Sequence, residues 1–504
     1  MILYFLFLLA SSSAQAATDC IPRQFDHDSV VCVCNATYCD ELGPVPWPVP
    51  GDYSIITSSR DGLRFHVEYK VPEIQATPDA IVVQVNHSYT RQAIMGFGGA
   101  FTDSTGMNIA TLSSGAQENL LRAYFAPEGI EYNLCRIPIA GSDFSVRPYS
   151  YDDVEGDVDL DNWALAEEDL LYKLPMILRA QELSQNPIKL FGSPWSPPSW
   201  MKTNGKFNES GELLKEMWQP WANYFVKFVE AYEAAGATLW GLTTQNEPLS
   251  GFDDSWAWNT CGWTAADMRD WIKGNLGPTL EAAGMRRLKL MVDDYTRDTL
   301  PWYIMPMMND ANSSLYIDGT AVHWYSDNWV GPWVMDETQS LYLDKFLLYT
   351  ESCAGFDHTG PYLGNWQRGE DYLHSILENS NHHSTGWVDW NMALDMIGGP
   401  NWAFNFVDSP IIINAEMDEF YKQPMFYAMG HFSKFVVEGA LVADSSVVGS
   451  EALESAAFHH PSGPTIIVLL NTGEETLNVS ITDGSEDFLN FQTPAKAFQT
   501  ILYP

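Results

Sequence analysis

The alternation of hydrophobic and polar positions divides the chain into three stretches. Segments such as LRFHVEY and IVVQVN, before residue 92, alternate apolar with polar side chains, which is typical of half-buried strands. From about residue 92 to 391, short apolar runs alternate with helical stretches such as WANYFVKFVEAYEAAG. The last 65 residues return to short strands separated by glycine, aspartate and proline turns.

The middle stretch contains eight strand segments with helical stretches between them. These repeats predict an α/β fold built on a (β/α)8 barrel, and the strands near both chain ends predict one β-sandwich. The Gly-rich run GFGG at 96–99 falls inside the first strand, which favours tight barrel packing over nucleotide binding. The eight segments are AIMGFGGAF, YNLCRIPI, IKLFGSPW, LWGLTTQN, LKLMVDD, TAVHWY, FLLYTE and TGWVDWN.

The first sixteen residues, MILYFLFLLASSSAQA, contain an apolar run that ends in an A-x-A pattern. This arrangement is typical of a cleaved signal peptide, and the run is too short to span a bilayer. No later apolar run approaches 20 residues. We therefore expect an exported, soluble mature protein.

Cysteine usage and glycosylation sequons agree with export. Four of the seven cysteines, Cys20, Cys32, Cys34 and Cys39, crowd the mature N-terminus, where two disulfides are expected. The alternative is a metal site, because the C-x-C pair at 32–34 could bind zinc. The other three cysteines are odd in number, so at least one free thiol is expected. Candidate glycosylation sites are Asn35, Asn86, Asn208, Asn312 and Asn478.

The chain is strongly acidic, with a formal net charge of −39. Nucleic acid is excluded as a partner class, because phosphate binding needs clustered lysine and arginine. Self-repulsion at neutral pH is considerable, and partial protonation of carboxylates near pH 5 would relieve it. The charge therefore suits an acidic compartment, although solubility alone is an alternative explanation.

Two of the predicted barrel strands run into a glutamate. LWGLTTQN is followed by Glu247, and FLLYTE ends at Glu351. A carboxylate at the C-terminal end of a barrel strand points into the mouth, where (β/α)8 enzymes act. Two facing carboxylates are the basic requirement for cleaving a glycosidic bond. A sugar hydrolase is therefore the leading hypothesis, and a solvated surface charge is the alternative for either glutamate.

Neighbouring residues suggest different roles for the two glutamates. Asn246 precedes Glu247 and could hydrogen-bond the sugar 2-OH, a contact that strengthens in the transition state. Arg136, late in the second strand, could hold Glu351 ionised across the barrel. We therefore predict that Glu247 is the acid/base and Glu351 the nucleophile.

Aromatic and acidic side chains follow the same ends of the predicted strands. Aromatic residues suit carbohydrate, because the apolar face of a pyranose packs on an indole ring, although core packing is the alternative for each. Asp143, just past the second strand, could bind sugar hydroxyls or cap a turn. The aromatic residues at these ends are Trp195, His323, Trp324, Tyr325, Trp387 and Trp390.

Nine motifs of the chain are found together in one known family. They are CIPRQF…VVCVCNATYCD at 20–40, GFGGAFTD at 96–103, SPWSPPSWMKTNG at 193–205, NEP at 246–248, AVHWY at 321–325, GWVDWN at 386–391, GGPNW at 398–402, NFVDSPII at 405–412 and YKQPMFYAMGHFSKF at 421–435. On these motifs the chain closely resembles the lysosomal glucosylceramidases, members of glycoside hydrolase family 30. The resemblance covers nearly the whole mature chain.

The resemblance implies a role for several residues. The family's acid/base and nucleophile fall on Glu247 and Glu351. Disulfides would join Cys20 to Cys32 and Cys34 to Cys39, and no metal or organic cofactor is implied. Two further residues match positions that contact the nucleophile, namely Arg136 and Tyr325. The family's glucose-binding residues fall on Asp143, Trp195, Asn246, Trp390 and Asn405.

The family fold is similar to the segmentation above. It implies a signal peptide at 1–16 and a small three-stranded antiparallel lobe formed by 17–43 with 392–424. A β-sandwich would comprise 46–91 with 440–504, and the catalytic barrel 92–391 with 425–439.

The resemblance also implies a substrate, partners and a location. We expect a retaining β-glucosidase that hydrolyses glucosylceramide in membranes, within the lysosomal lumen or after secretion, aided by a saposin-type activator and a lysosomal sorting receptor. Anionic lipid would repel so acidic a chain at neutral pH. The alternatives are a family 30 hydrolase of glucan or xylosides, or a non-catalytic glycolipid-binding protein. Loop tryptophans that could meet the ceramide, or simply pack in loops, are Trp256, Trp258, Trp329 and Trp333.

Overall fold

The computed structural model describes residues 17–357 and 359–504, so the signal peptide expected at 1–16 lies outside the described residues. The strands are β1 (Pro22–Gln24), β2 (Val30–Asn35), β3 (Tyr53–Ser59), β4 (His66–Lys70), β5 (Ile81–Ala93), β6 (Gly96–Ala100), β7 (Leu134–Ile139), β8 (Lys189–Pro194), β9 (Leu239–Thr243), β10 (Lys289–Thr296), β11 (Gly319–His323), β12 (Phe346–Glu351), β13 (Ser384–Asn391), β14 (Ala393–Asp395), β15 (Ile411–Asn414), β16 (Glu419–Lys422), β17 (Leu441–Val448), β18 (Leu453–His459), β19 (Thr465–Asn471), β20 (Leu477–Thr482), β21 (Leu489–Thr493) and β22 (Ala497–Tyr503). The α-helices are α1 (Asp103–Ala110), α2 (Ser114–Phe125), α3 (Leu174–Leu183), α4 (Trp218–Ala234), α5 (Ala265–Trp271), α6 (Gly277–Ala282), α7 (Met305–Met308), α8 (Ala311–Ser314), α9 (Trp333–Leu341), α10 (Trp366–Asn381) and α11 (Pro424–Ser433).

Strands β6 to β13 close a parallel barrel, which confirms all eight predicted barrel strands. Every residue of β7, β11 and β13 is buried, as expected when helices cover one face of a strand and the barrel interior covers the other. The predicted tight packing of the GFGG run is confirmed. A Cβ on Gly98 would lie 1.9 Å from the carbonyl oxygen of Leu134 on the neighbouring strand, so only glycine fits there.

The β-sandwich forms from both chain ends, as predicted. Its nine strands are ordered β21-β20-β5-β17-β18-β19-β22-β3-β4. The sheet folds over on itself, so that strands near its two edges meet. The hydroxyl of Tyr53 on β3 donates to the carbonyl of Asn490 on β21 at 2.7 Å. Its outer face packs on the barrel helices, where Trp366 of α10 stacks on Phe498 of β22 with ring centroids 4.3 Å apart.

The small lobe differs from its prediction in strand number and direction. It has five strands in the order β1-β2-β16-β15-β14 where three are predicted, and β14 runs parallel to β15. Strands β1 and β14 have only three residues each, which is too short for an alternation pattern to reveal.

Both expected disulfides are present, Cys20–Cys32 and Cys34–Cys39. They exclude the alternative zinc site, because these four sulfurs are not available as thiolates. The remaining cysteines, Cys135, Cys261 and Cys353, are buried free thiols.

Two further observations concern membrane spans and the candidate glycosylation sites. In the described part of the chain, no helix has the length and hydropathy needed to cross a bilayer. The asparagines of all five sequons are at least partly exposed, so none is excluded as a glycan acceptor by burial.

Candidate active site

The C-terminal ends of the barrel strands surround a cavity of about 230 Å³. It contains both glutamates and all five residues predicted to bind sugar. Its lining residues are Asp143, Trp195, Asn246, Glu247, Trp256, Trp258, Tyr295, Thr296, Tyr325, Glu351, Cys353, Phe356, Trp390, Asn405 and Val407.

The two glutamates face each other in this cavity. Glu351 is the last residue of β12, whereas Glu247 lies four positions beyond the end of β9. A carboxylate oxygen of one lies within 4.8 Å of a carboxylate oxygen of the other. Their residues are only 8% and 6% exposed, so the surface-charge alternative is wrong for both.

The loop that carries Glu247 is fixed by the neighbouring strands. The amide of Asn246 donates to Pro194 at the end of β8, and the amide of Glu247 donates to Asp294 in β10, each at 2.9 Å. Glu247 itself has φ +47°, a left-handed conformation that costs a non-glycine residue about 1–3 kcal/mol. Such strain persists where surrounding contacts impose it, and here it directs the carboxylate into the cavity.

Arg136 on β7 is the central cation of the site and is fully buried. Its guanidinium contacts the Glu351 carboxylate, and it also donates to Asp294 at 2.7 Å and to Asn246 at 2.8 Å. Burial alone would lower the pKa of Arg136, but the charges of Asp294 and Glu351 outweigh it and raise that pKa. The second oxygen of Glu351 accepts a hydrogen bond from the Tyr325 hydroxyl at 2.7 Å.

A histidine connects the other side of this network to Glu247. The Nε2 of His323 lies 3.1 Å from Asp294, and its Nδ1 lies 3.4 Å from Glu247, a separation longer than an aligned hydrogen bond. Burial opposes protonation of His323, yet the surrounding carboxylates, Glu351 first, raise its pKa to about 9. His323 is therefore an imidazolium at neutral and acidic pH.

Neighbouring cations separate the protonation behaviour of two buried acids, Glu247 and Asp294. Burial raises the pKa of Glu247. The hydrogen bond and charge of His323 lower this pKa, but by less than burial raises it. Asp294 is also buried, but the charge of Arg136 and the hydrogen bond from His323 lower its pKa. The network thus places two cations, Arg136 and His323, beside Asp294 and the two glutamates.

Asp143 lies in the loop after β7 and is held by two amides. Asn401 and Asn405 donate to the same carboxylate oxygen, at 3.2 and 3.0 Å. Burial raises the pKa of Asp143 to about 7, although these hydrogen bonds oppose the shift. A buried carboxyl with an oxygen left for a ligand is suited to binding sugar hydroxyls.

Two indoles form the floor beside the glutamates. Trp195 and Trp390 stack with centroids 5.0 Å apart, and Arg136 lies over Trp195 at 4.7 Å. Two other aromatics of the same sequence segments do not reach the cavity. Trp324 and Trp387 pack edge to face on each other, 6.0 Å apart, so the core-packing alternative is correct for them.

The loop tryptophans occupy two different environments. Trp256 and Trp258 line the outer part of the cavity, with ring centroids 4.6 Å apart. Trp329 and Trp333 instead point to solvent, at 68% and 60% exposure. The first pair lines the cavity and can contact a bound substrate, whereas most of the surface of the second pair faces solvent.

Glu247, His323 and Glu351 place three ligand atoms within 4.8 Å of one another, so they could in principle hold a metal ion. Their chemistry does not fit one. The buried guanidinium of Arg136 would repel a cation here, and both oxygens of Glu351 are already bound, one by Arg136 and the other by Tyr325. The arrangement fits proton transfer.

Sequence reasoning assigned no role to Asp294 or Asn401, and it named His323 only as a strand-end aromatic residue. Asp294 lies near the C-terminal end of a predicted barrel strand, and His323 ends another, so the rule applied to the glutamates could have found both. Asn401 lies in an irregular loop, where no local signal links it to Asp143.

Comparison with known proteins extends over the whole chain. The model of the glycosyl hydrolase family 30 TIM-barrel domain matches residues 94–436, and that of the family's β-sandwich domain matches 439–501. Lysosomal acid glucosylceramidase of Mus musculus is 42% identical, covering 99% of this chain and 98% of its own length. Putative glucosylceramidase 3 of Caenorhabditis elegans is also 42% identical, with 100% and 97% coverage. Endo-1,6-beta-D-glucanase neg1 of Aspergillus fumigatus is 27% identical, with 84% and 88% coverage.

Solved structures share the same architecture. SrfJ from Salmonella typhimurium has a TM-score of 0.83 at 27% identity, covering 90% of this chain and 99% of its own. An endo-beta1,6-glucanase has a TM-score of 0.80 at 26% identity, with the same coverage. From the matched domains and the relatives that span it, the chain belongs to glycoside hydrolase family 30.

Proposed function

We propose that this protein is a retaining β-glucosidase that hydrolyses glucosylceramide to glucose and ceramide. The observation that carries the chemistry is the short distance between the glutamates, whose nearest oxygens lie within 4.8 Å. Retaining glycosidases hold their carboxyl groups about 5–5.5 Å apart, whereas inverting enzymes need about 6.5–9.5 Å to admit a water. The spacing favours double displacement.

In the first step, Glu351 attacks the anomeric carbon and Glu247 protonates the leaving ceramide oxygen. The glycosidic bond breaks, ceramide departs as an alcohol, and a glucosyl ester forms on Glu351. In the second step, Glu247 removes a proton from water, and the resulting oxygen attacks the same carbon. The ester breaks, Glu351 regains its charge, and Glu247 its proton.

Glu351 has the environment of a nucleophile. Arg136 stabilises its carboxylate, and the hydroxyl of Tyr325 donates to the other oxygen. These contacts hold the carboxylate in place before attack. When the ester forms, the charge on Glu351 disappears, and Asp294 remains to balance Arg136.

Glu247 has the environment of an acid that must also act as a base. Burial raises its pKa, which favours the protonated form that the first step requires. Once the proton leaves, the imidazolium of His323 faces the new carboxylate at 3.4 Å and stabilises it. Burial therefore favours the protonated form of Glu247 in the first step, and His323 stabilises its carboxylate in the second.

The glucose would bind between the glutamates and the aromatic floor. Asp143 and Asn405 offer hydrogen-bonding groups for hydroxyls, and Asn246 adjoins the acid/base for the 2-OH. The indoles of Trp195 and Trp390 supply the apolar surface beside them. The outer pair, Trp256 and Trp258, would then meet the ceramide.

We extend the proposal to location and partners. The mouse relative is named a lysosomal acid glucosylceramidase. An acidic lumen fits a chain of net charge −39, because protonation lowers its repulsion from anionic lipid. We place the protein in the lysosomal lumen, delivered by a sorting receptor and aided by a saposin-type activator.

A second candidate function is hydrolysis of β-1,6-glucan. It is favoured by two relatives, a fungal endoglucanase at 27% identity and a solved endoglucanase at 26%. The glucosylceramidases share 42% identity over nearly the whole chain, which makes the glycolipid the better supported substrate.

The test is turnover of glucosylceramide and of β-1,6-glucan oligomers at pH 5 by the wild type, Glu247→Gln and Glu351→Gln. We expect glucosylceramide to be preferred and both variants to lose its hydrolysis. With an aryl glucoside whose leaving group needs no proton, Glu247→Gln should still form the glucosyl ester, because general acid catalysis is worth about 10²–10⁴-fold only where protonation is needed. Glu351→Gln should form none.

The matched control is Glu451→Gln, which changes an exposed glutamate of the sandwich and should leave turnover unchanged. A preference for glucan would refute the substrate. Normal turnover by Glu351→Gln would refute the mechanism, and binding of glycolipid without turnover by the wild type would indicate a carrier.

A further inference from the structure

Two histidines of the β-sandwich meet at the surface, away from the residues that line the catalytic cavity. His87 lies on β5 and His459 ends β18, two strands that are separated in the sheet by β17. The Nδ1 of His87 lies 3.3 Å from the Nε2 of His459. Segments from both ends of the chain therefore bring two imidazole nitrogens together.

The separation of these nitrogens matches two chemical situations. A neutral imidazole N–H can donate to a second imidazole at this distance. Tetrahedral coordination, with metal–nitrogen bonds of about 2.0–2.1 Å, also places two ligand nitrogens roughly 3.3–3.4 Å apart. The tautomer of each ring decides between the two.

A carboxylate fixes the tautomer of His87. Asp483, in the turn after β20, has an oxygen 3.1 Å from the Nε2 of His87. Donation from Nε2 leaves a lone pair on Nδ1, the nitrogen that faces His459. In metal-binding histidines, the ring nitrogen that does not bind the metal usually donates to a carboxylate, a backbone carbonyl or a water.

The surroundings suit a cation with water ligands. The side chains of His87 and Asp483 are 37% and 26% exposed, so an ion can reach the pair and keep waters. A surface cavity whose lining includes Asp52, Asp483 and Asp487 meets the pair at Asp483.

We propose that His87 and His459 bind a divalent transition-metal ion, Zn²⁺ or Cu²⁺, with Asp483 as the supporting carboxylate. Water completes the coordination, since the described residues offer two nitrogens here. Imidazole ligands suit both ions, and Cu²⁺ should bind the more tightly. The ion would join a strand from each end of the chain and so stabilise the sandwich.

The test uses the full mature chain without a histidine tag, in metal-free buffer at pH 7.5. Titration calorimetry with ZnCl₂ and CuCl₂ should give one saturable site that raises the melting temperature. His87→Gln and His459→Gln should each lose it, and Asp483→Asn should weaken it by about tenfold or more. Electron paramagnetic resonance of the Cu²⁺ complex should report two imidazole nitrogens.

The matched control is His66→Gln, which removes an exposed histidine of β4 and should leave the affinity unchanged. Unchanged hydrolase activity in each variant establishes that it is folded. The proposal is overturned if the wild type binds neither ion saturably, or if His87→Gln, His459→Gln and Asp483→Asn all bind as the wild type does. The histidines would then share only a hydrogen bond.

Discussion

The guanidinium of Arg136 contacts the carboxylate of Glu351 from a position with no solvent exposure. The same guanidinium binds Asp294, which in turn contacts His323, so one buried cation organises the environment of both glutamates. Removing a partner from a buried ion pair leaves an uncompensated charge. Loss of the Arg136 side chain should therefore reduce both the stability and the activity of the protein.

For Arg136→Gln we expect unfolding to become easier by about 3–5 kcal/mol, because Asp294 and Glu351 would remain buried without their cation. Urea unfolding measures this loss. The control is Arg179→Gln, which removes a partly exposed ion pair with Glu118 and should cost about 1 kcal/mol or less. Equal losses in the two variants would contradict the role of the buried network.

His323→Asn should move the alkaline limit of activity to higher pH. Glu247 must be protonated in the first step, so kcat/KM falls as pH rises through its pKa. The positive charge of His323 lowers that pKa, and its removal should raise it. Profiles of kcat/KM from pH 4 to 9 with a soluble aryl glucoside measure the limit, and His66→Asn is the surface control. A limit that stays in place would mean that His323 does not act on Glu247.

The protein should be more stable at pH 5 than at pH 7.5. Burial raises the pKa of Asp143 from 3.8 to about 7, so its contribution to stability is complete below about pH 4 and is lost as pH rises to 7. A pKa shift of this size corresponds to a contribution to the free energy of unfolding on the order of 4 kcal/mol. Asp327, also raised to about 7 by burial, acts in the same direction.

Asp143→Asn tests this linkage by removing one of the acids whose pKa is raised by burial. Its unfolding free energy should fall less between pH 5 and 7.5 than that of the wild type, measured by chemical unfolding at each pH. The exposed Asp161→Asn is the matched control. A pH dependence identical to that of the wild type would show that Asp143 is already ionised at pH 5.

The exposed indoles of Trp329 and Trp333 should promote membrane contact. Each could bury on the order of 100 Å² in lipid, worth about 2–3 kcal/mol, so the double alanine variant should bind vesicles at least tenfold more weakly. Hydrolysis of vesicular glucosylceramide should fall, and that of a soluble aryl glucoside should not. Trp47→Ala, in which a less exposed indole is lost, is the control. Equal effects on both substrates would indicate a structural role.

The barrel and the pair of glutamates were predictable because their signals are local. A parallel strand buried on both faces leaves an apolar run, and a polar residue where the run ends falls at the barrel mouth. Asp294 satisfies the same strand-end rule, but its role depends on contacts with Arg136 and His323 that form only in the folded barrel. The strands β1 and β14 were missed because three residues cannot show an alternation.

By itself, the sequence determined the eight barrel strands, the sandwich strands and the two strand-end glutamates, since each depends on residues close together in the chain. Only the tertiary structure decided that Arg136, Asp294 and His323 form one network around Glu247 and Glu351. It also decided that Asn401 reaches Asp143 and that His87 meets His459. The strength of a charge interaction depends on the distance between the charges in space, not on their separation along the chain. Protonation in this site therefore depends on contacts that only the folded barrel creates.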